Sequence, residues 1–128
     1  MNNIMNFEYK YYENLLTIED QKEALTSPFQ SYWFVMKNIP GSDFKALQTK
    51  ACKDPECAYY FARDVPGADI KYCQEYACKE LGWAYYFAIN IPKSDKEYCF
   101  KRAFPEKEYG PDRCKSEYNK FIMKKACE

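Results

Sequence analysis

Four of the seven cysteines have a regular spacing that could serve metal binding or disulfide formation. Cys52, Cys57, Cys73 and Cys78 form a C-x4-C-x15-C-x4-C pattern, which has the thiol count of a four-cysteine zinc site. A related segment of the same chain carries Leu47 at the position of Cys73, so this position does not require sulfur. We therefore predict buried, compact side chains, no metal ligand and no cofactor. Zinc binding and a regulatory disulfide remain as alternatives.

The residues that usually carry catalysis are scarce. The sequence has no histidine and only four glycines, and it contains neither a G-x-S-x-G motif nor a glycine-rich phosphate loop. Asp64 and Asp69 could pair across a cleft, but Asp69 is better explained as a helix cap and Asp64 as part of a solvated face. We therefore predict that the protein is not an enzyme and has no catalytic residues.

Aromatic side chains recur at a constant interval, at Phe34, Tyr60 and Tyr86. On the helices predicted below, this position lies opposite the apolar face, and Lys37 and Arg63 follow one turn later. Exposed aromatic residues beside basic ones are typical of protein-interface hot spots. We therefore predict that these five residues bind a partner protein. Two alternatives remain: a terminal segment covers the rings, or the predicted helix rotation is wrong by one residue.

These spacings reflect an internal repeat. Residues 51–76 and 77–102 are identical at 12 of 26 positions without a gap, and residues 25–50 precede them in the same register. The register aligns one proline and one aspartate of every copy, namely Pro40, Pro66 and Pro92, and Asp43, Asp69 and Asp95. Because a unit of this size cannot bury its apolar side alone, tandem copies are expected to stack.

Each copy is predicted to form two short helices. In the second copy, Asp54 is a favourable N-cap, and the first helix covers about residues 55–65. It ends because Pro66 cannot continue it, and Gly67 suits the left-handed conformation that follows a helix. Asp69 then caps the second helix.

The sequence thus predicts an all-α fold, a short α-solenoid of stacked two-helix repeats without a β-sheet. With 128 residues, the chain is too short for two separate cores, so it forms a single domain. Within residues 1–128 we predict an N-terminal helical cap at 1–24, helical-hairpin repeats at 25–50, 51–76 and 77–102, and a C-terminal capping unit at 103–128.

The string PECAYYFARDVPGADIKYCQEYACK resembles short tandem helical repeats of the P-E-x-A-Y-x-F-A-R-D-V-x-G-A-D-I type, found in uncharacterised bacterial, phage and large-virus proteins. The resemblance covers residues 25–102 and is most specific at 51–76; the third copy departs from the pattern at Leu81, Gly82, Trp83 and Lys93. It implies a helical architecture and assigns no catalytic or ligand residues. A more distant similarity to tetratricopeptide-type scaffolds concerns the scaffold only, because the period here is shorter.

The composition is that of a folded chain without net charge. It is 47% apolar and 19% aromatic, and 19 basic residues balance 19 acidic ones. The mean hydropathy of -0.70 and the lack of a long apolar run predict no transmembrane helix and no membrane partner. No secretory signal is predicted at the N-terminus. An odd number of cysteines without such a signal favours free thiols, and we predict a cytoplasmic location.

These observations favour a non-catalytic helical-repeat module for protein–protein interaction. A phage- or virus-type inhibitor of a host protein is a special case of this hypothesis, suggested by the resemblance and the small size. The alternative is a nucleic-acid-binding protein, because residues 96–128 carry a net charge of +3. In that case the aromatic rings stack on bases. The basic side chains available for phosphate contacts are Lys115, Lys120, Lys124 and Lys125.

Overall fold

The computed structural model describes residues 6–104, and every regular element in that range is helical. In chain order the α-helices are α1 (Phe7–Tyr12), α2 (Gln21–Ala24), α3 (Pro28–Met36), α4 (Phe44–Ala51), α5 (Pro55–Asp64), α6 (Ile70–Ala77), α7 (Leu81–Asn90) and α8 (Lys96–Ala103). A 3₁₀ helix, Ile18–Asp20, precedes α2. The predicted all-α class is confirmed for this range. Residues 105–128, which include most of the predicted C-terminal capping unit, Cys114, Cys127 and the four C-terminal lysines, lie outside the described residues.

Aspartate and serine side chains begin most of these helices. Asp54 Oδ2 accepts a hydrogen bond from the Cys57 N–H at 3.0 Å, and Asp69 Oδ1 accepts one from the Tyr72 N–H at 3.1 Å. Such bonds satisfy backbone donors that the first turn of a helix leaves unpaired. Both predicted N-caps are therefore confirmed. The same arrangement begins α3, α4 and α8, at Ser27, Asp43 and Asp95.

Prolines end α5 and α7. Val65 and Ile91 become extended one residue before Pro66 and Pro92, so neither helix continues. This is the conformation that a proline favours in the residue before it. Gly67 follows with φ of +82°, which is the left-handed conformation predicted for it.

The segment from the N-cap of α3 to the N-cap of α4 is one residue longer than the equivalent segments of the other two copies. The N-caps Asp43 and Asp69 align between the copies without a gap, whereas Ser27 aligns with Asp54 only if one position is skipped. The additional residue lies just after α3, where Asn38 has φ of +52°. Asparagine tolerates this left-handed conformation better than most residues. As a result, an ungapped alignment pairs each residue of α3 with the residue just before its structural equivalent in α5.

The helices pack in consecutive pairs, and the pairs contact one another. We call α3, α5 and α7 the first helices and α4, α6 and α8 the second helices; each first helix packs most extensively on the second helix that follows it. α3 also contacts α5, and α5 contacts α7, while α1 and α2 pack on α3 at the N-terminal end. Phe34, Phe61 and Phe87 are buried in one core cluster that spans all these elements.

A glutamine side chain connects each second helix to the helix two places before it in the chain. In each case the glutamine Oε1 accepts a hydrogen bond from the backbone N–H of an aspartate N-cap. The three bonds run from Asp43 to Gln21 at 2.6 Å, from Asp69 to Gln48 at 2.8 Å, and from Asp95 to Gln74 at 2.7 Å. They join α2 to α4, α4 to α6 and α6 to α8. The same polar contact is therefore repeated three times along this side of the protein.

Candidate functional site

The outer side of the first helices carries the residues predicted to bind a partner. Tyr86 is 37% exposed and Tyr60 is half-buried, so both rings reach the surface. Phe34, in contrast, is fully buried. The prediction that Phe34 belongs to an exposed row of rings is therefore wrong.

The additional residue at Asn38 explains this error. Counted from the N-caps, Phe34 occupies the position of the buried rings of α5 and α7. The position of Tyr60 and Tyr86 is occupied in α3 by Trp33, which is half-buried. The recurring ring on the outer side is therefore tryptophan in the first repeat and tyrosine in the other two.

One turn after each of these rings, a further side chain reaches solvent. Met36 is 36% exposed and Ile89 is 37% exposed, and the Arg63 side chain is 45% exposed. The three rings thus form one row across the first helices, and the three side chains one turn later form a second, parallel row. We call this surface the first-helix face; its residues are Trp33, Met36, Tyr60, Arg63, Tyr86 and Ile89.

A second layer of rings supports the first-helix face. The Trp83 ring centroid lies 5.8 Å from that of Tyr60 and 5.7 Å from that of Tyr86. Tyr59 is buried, packs against Trp83 at 5.4 Å and accepts a hydrogen bond from Asn90 Nδ2 at 2.8 Å. Ring pairs at these distances stabilise one another. The exposed rings therefore rest on a packed layer that limits their rotation.

Arg63 is the charged residue of the first-helix face, and Asp64 compensates it. Arg63 Nε and Nη2 donate to the two carboxylate oxygens of Asp64 at 2.7 and 2.8 Å, and the guanidinium lies 4.8 Å from the Tyr60 ring centroid. Tyr32 donates a further hydrogen bond to this carboxylate. The bonds from Arg63 hold the pKa of Asp64 below its ordinary value. Asp64 therefore stays ionised and acts as an ion-pair partner.

Two phenols at this surface, those of Tyr60 and Tyr32, stay protonated at neutral pH. Tyr60 donates a hydrogen bond to Glu56 at 2.7 Å, which raises the pKa of Tyr60 to about 12. Burial, together with the hydrogen bond to Asp64, raises the pKa of Tyr32. Because a general base or nucleophile must lose its proton near the working pH, these two phenols are suited to donate hydrogen bonds and not to catalysis.

Lys37 lies near the N-terminal end of the first-helix face. Its Nζ donates to Asn14 Oδ1 at 2.7 Å and lies 4.3 Å from the Tyr11 ring centroid. The Tyr11 ring packs against Trp33, with centroids 5.5 Å apart. The structure therefore connects Lys37 to the first ring of the face through Tyr11, whereas Arg63 contacts the second ring directly.

The five cysteines between residues 6 and 104 are free and buried. The Sγ atoms of Cys52 and Cys73 are 3.5 Å apart, and those of Cys78 and Cys99 are 3.4 Å apart. In this part of the chain no group of three or more His, Cys, Asp or Glu side chains is placed to hold a metal ion. The four-cysteine zinc alternative therefore has no site there; four of the five thiols form two separate pairs, and Cys57 belongs to neither.

Within the described range, no helix combines the length and the apolar content needed to cross a membrane. No protein-family model, curated protein or solved structure matches the chain. The resemblance to repeats of phage and large-virus proteins thus stays a prediction, and the function has to follow from the geometry of the chain itself.

Proposed function

We propose that the protein is a non-catalytic α-solenoid that binds another protein through the first-helix face. The observation that carries the proposal is the repetition of an aromatic ring and its exposed neighbour on three consecutive first helices. Solenoid proteins bind partners along such extended surfaces. Aromatic residues, Met and Arg, which form most of this face, are enriched at protein interfaces.

Two sets of contacts support a continuous stack of repeats. The first helices contact one another in chain order, and the glutamine bonds join the second helices in the same order. Each repeat therefore meets the next through equivalent contacts, which is the building rule of a solenoid. We accordingly place the repeats 25–50, 51–76 and 77–102 in one stack.

The chemistry of the face favours an apolar helical segment as its partner. The face is uncharged apart from Arg63, which is paired with Asp64. Packed helices lie about 8–10 Å apart, so successive rings of the face have roughly that separation. Side chains two turns apart on a helix are separated by about 10 Å. An amphipathic partner helix could therefore place one apolar side chain on each ring.

Two further features fit this function. The sequence has no histidine, the Tyr60 phenol keeps its proton near neutral pH, and the carboxylates beside the face, Glu56 and Asp64, are bonded to Tyr60 and Arg63, which fits a binding role. The described cysteines are free, as is usual in a reducing compartment, and on this ground we propose a cytoplasmic location.

The experiment that tests the proposal is capture of partners from a cytoplasmic extract by wild type and by a Met36→Glu/Ile89→Glu variant. Both side chains are slightly more than a third exposed, so the carboxylate of each new glutamate can reach solvent and the fold should be retained. The control is Leu81→Glu, which puts one glutamate in place of a half-exposed apolar side chain at the other end of α7.

We expect a protein that is captured by wild type and by the control, is lost with the double variant, and is unaffected by nuclease. Equal capture by all three chains would contradict a role for the first-helix face. Circular dichroism of the three proteins confirms that the fold is intact. A synthetic amphipathic peptide derived from the captured protein then identifies the bound segment.

Nucleic-acid binding is a second candidate function, favoured by lysines on α4 and just after its C-terminal end. Lys45, Lys50 and Lys53 line one open depression together with Leu25 and Asp43. The C-terminal lysines predicted for this role lie outside the described residues. If this candidate is correct, nuclease removes the captured material, and affinity falls steeply as the salt concentration rises. Such a result would replace the protein partner with a nucleic acid.

A further inference from the structure

Two thiol pairs occupy equivalent positions in consecutive repeats. Cys52 and Cys78 are the C-cap residues of α4 and α6. Cys73 and Cys99 are the fourth residues of α6 and α8, the second helices that follow. The Sγ–Sγ distances are 3.5 Å for the first pair and 3.4 Å for the second. Each pair therefore bridges two successive second helices.

The two sulfur atoms of each pair are in contact, at 3.5 and 3.4 Å. A disulfide bond has an S–S distance of about 2.05 Å, so each pair of sulfur atoms must approach by only about 1.4 Å. In each pair one cysteine is the C-cap residue, where the regular helix has already ended. Helix ends move more readily than helix centres, so the approach does not require a displacement of the whole helix.

We propose that Cys52–Cys73 and Cys78–Cys99 are oxidation sites at which the protein forms two disulfide bonds by exchange with a low-molecular-weight disulfide such as oxidised glutathione. In the first step a cysteine thiolate attacks one glutathione sulfur, the glutathione S–S bond breaks, and one glutathione leaves as a thiolate. The neighbouring cysteine, after losing its proton to solvent, then attacks the protein sulfur of the mixed disulfide. The second glutathione leaves, and both glutathione thiolates take up a proton.

The two pairs differ in how readily they start this reaction. Cys78 is 5% exposed, whereas the other three thiols are fully buried. Oxidised glutathione must reach the attacking sulfur, and the positive charge of Arg102 favours the thiolate form of Cys78. The attacking species is the thiolate. Cys78 is therefore the residue that reacts first, and the Cys52–Cys73 bond forms more slowly.

The two disulfides would link α4 covalently to α6 and α6 to α8. Both bonds would lie on the side of the repeats opposite to the first-helix face. Each bond closes a loop of about 20 residues and so reduces the freedom of the unfolded chain. Oxidation should therefore raise the thermal midpoint of the protein, and dithiothreitol should return it to the original value. This inference does not depend on the identity of the partner or on the proposed binding function.

The test is peptide mapping of the full-length wild-type protein after timed incubation with oxidised glutathione and alkylation of the remaining thiols. Cleavage after Glu75 separates Cys73 from Cys78, and tryptic cleavage after Lys53 and Arg63 separates Cys57 from Cys52 and Cys73, so mass spectrometry can assign each bond. We expect a peptide pair joined through Cys78 and Cys99 at early times, followed by one joined through Cys52 and Cys73. Cys57 should stay reduced throughout.

Two variants strengthen the test. With Cys99→Ser, the second step has no thiol to complete it, so Cys78 should retain one glutathione as a mixed disulfide. With Cys57→Ser, a matched control at another buried cysteine, both disulfides should form as in wild type. The proposal would be overturned if Cys78 paired with a cysteine other than Cys99, or Cys73 with one other than Cys52. It would also be overturned if Cys78 of the wild type retained glutathione as a stable mixed disulfide. An absence of oxidation at all four positions would overturn it as well.

Discussion

Adjacent rings on α3 have different environments, because neighbouring positions of a helix lie about 100° apart around its axis. Phe34 is fully buried in the core, whereas Trp33 lies half-buried on the first-helix face beside Tyr11. We expect Phe34→Ala to lower the free energy of unfolding by about 3–5 kcal/mol, because it leaves a cavity in the core. Trp33→Ala should cause a smaller loss. Urea unfolding followed by circular dichroism measures both, and equal losses would contradict the alignment of Phe34 with the buried rings of α5 and α7.

Asp20 allows a test of pH dependence at the scale of one residue. Its carboxylate accepts hydrogen bonds from Lys10 Nζ and from the Thr17 N–H, both at 2.8 Å. Burial opposes ionisation, but these bonds hold the pKa of Asp20 below its ordinary value of 3.8. A carboxyl group whose pKa is lower in the folded state stabilises the fold above its unfolded pKa. This contribution disappears as the pH falls through the folded pKa.

We therefore expect Asp20→Asn to lower the free energy of unfolding at neutral pH by about 1–3 kcal/mol. The difference from wild type should shrink as the pH falls below about 4, because the wild-type carboxyl then becomes protonated as well. Urea unfolding at about pH 7, 5 and 3 measures this profile. The control is Glu19→Gln, an exposed neighbour that should leave the profile unchanged. A constant difference at all pH values would show that the charge of Asp20 has no role.

Local chemistry decided which single residues could be predicted from the sequence. Asp54 and Gly67 were predictable because N-caps and left-handed turns depend on the residue itself and its near neighbours. The outer ring of α3 was not predictable in this way, because an alignment of the copies without a gap assigns Phe34 to the outer position. The signal lay in Ser27-Pro28, which matches Asp54-Pro55 only when one position of the alignment is skipped. An error of one residue rotates a helix position by about 100°, enough to exchange core and surface.

At the scale of helices, the glutamine bonds hold the second helices in register. Gln74 is buried, and its Oε1 accepts both the Asp95 N–H at 2.7 Å and the Cys99 thiol at 3.4 Å. We expect Gln74→Ala to lower the free energy of unfolding by about 1–3 kcal/mol, because the Asp95 N–H loses its acceptor. The control is Glu75→Ala, an exposed change on the same helix that should have little effect.

Urea unfolding of the two variants beside wild type gives both values. A loss at Gln74 that is no greater than the loss at Glu75 would mean that water replaces the glutamine without cost. The bond would then follow from the packing of the second helices and would not determine their register.

The helices themselves could be predicted, but the contacts between repeats could not. Helix boundaries followed from prolines and capping aspartates that recur in every copy, and α5 ends within one residue of its predicted end. The glutamine contact was not predicted, because a polar residue on an apolar face has no visible partner in a linear sequence. Gln48 and Gln74 occupy the same position of consecutive copies, and this recurrence on a buried face is the signal that was available.

At the scale of the whole molecule, the proposed function depends on three repeats acting together. Each first helix contributes only two residues to the first-helix face, namely one aromatic ring and the exposed side chain one turn after it. The face exists only if the repeats share a rigid arrangement, which requires the core to be continuous from α3 to α7. A continuous core also predicts that the described repeats unfold together, as nearest-neighbour contacts couple them.

The two tryptophans make this coupling measurable. Trp33 lies on α3 and Trp83 on α7, so the first and third repeats each contain one of the two tryptophans of the chain. The variants Trp33→Phe and Trp83→Phe therefore each retain a single fluorescent reporter, in different repeats. Both replacements keep an aromatic ring, which limits the change in packing.

In each variant we expect the urea midpoint from tryptophan fluorescence to coincide with the midpoint from far-ultraviolet circular dichroism. Each variant is its own control, because a change in stability caused by the substitution shifts both signals equally. If the repeats unfold independently, fluorescence and circular dichroism will separate in at least one variant. Separation would contradict the continuous stack. It would also weaken the proposed binding mode, because a partner helix that spans three rings needs all three repeats folded at once.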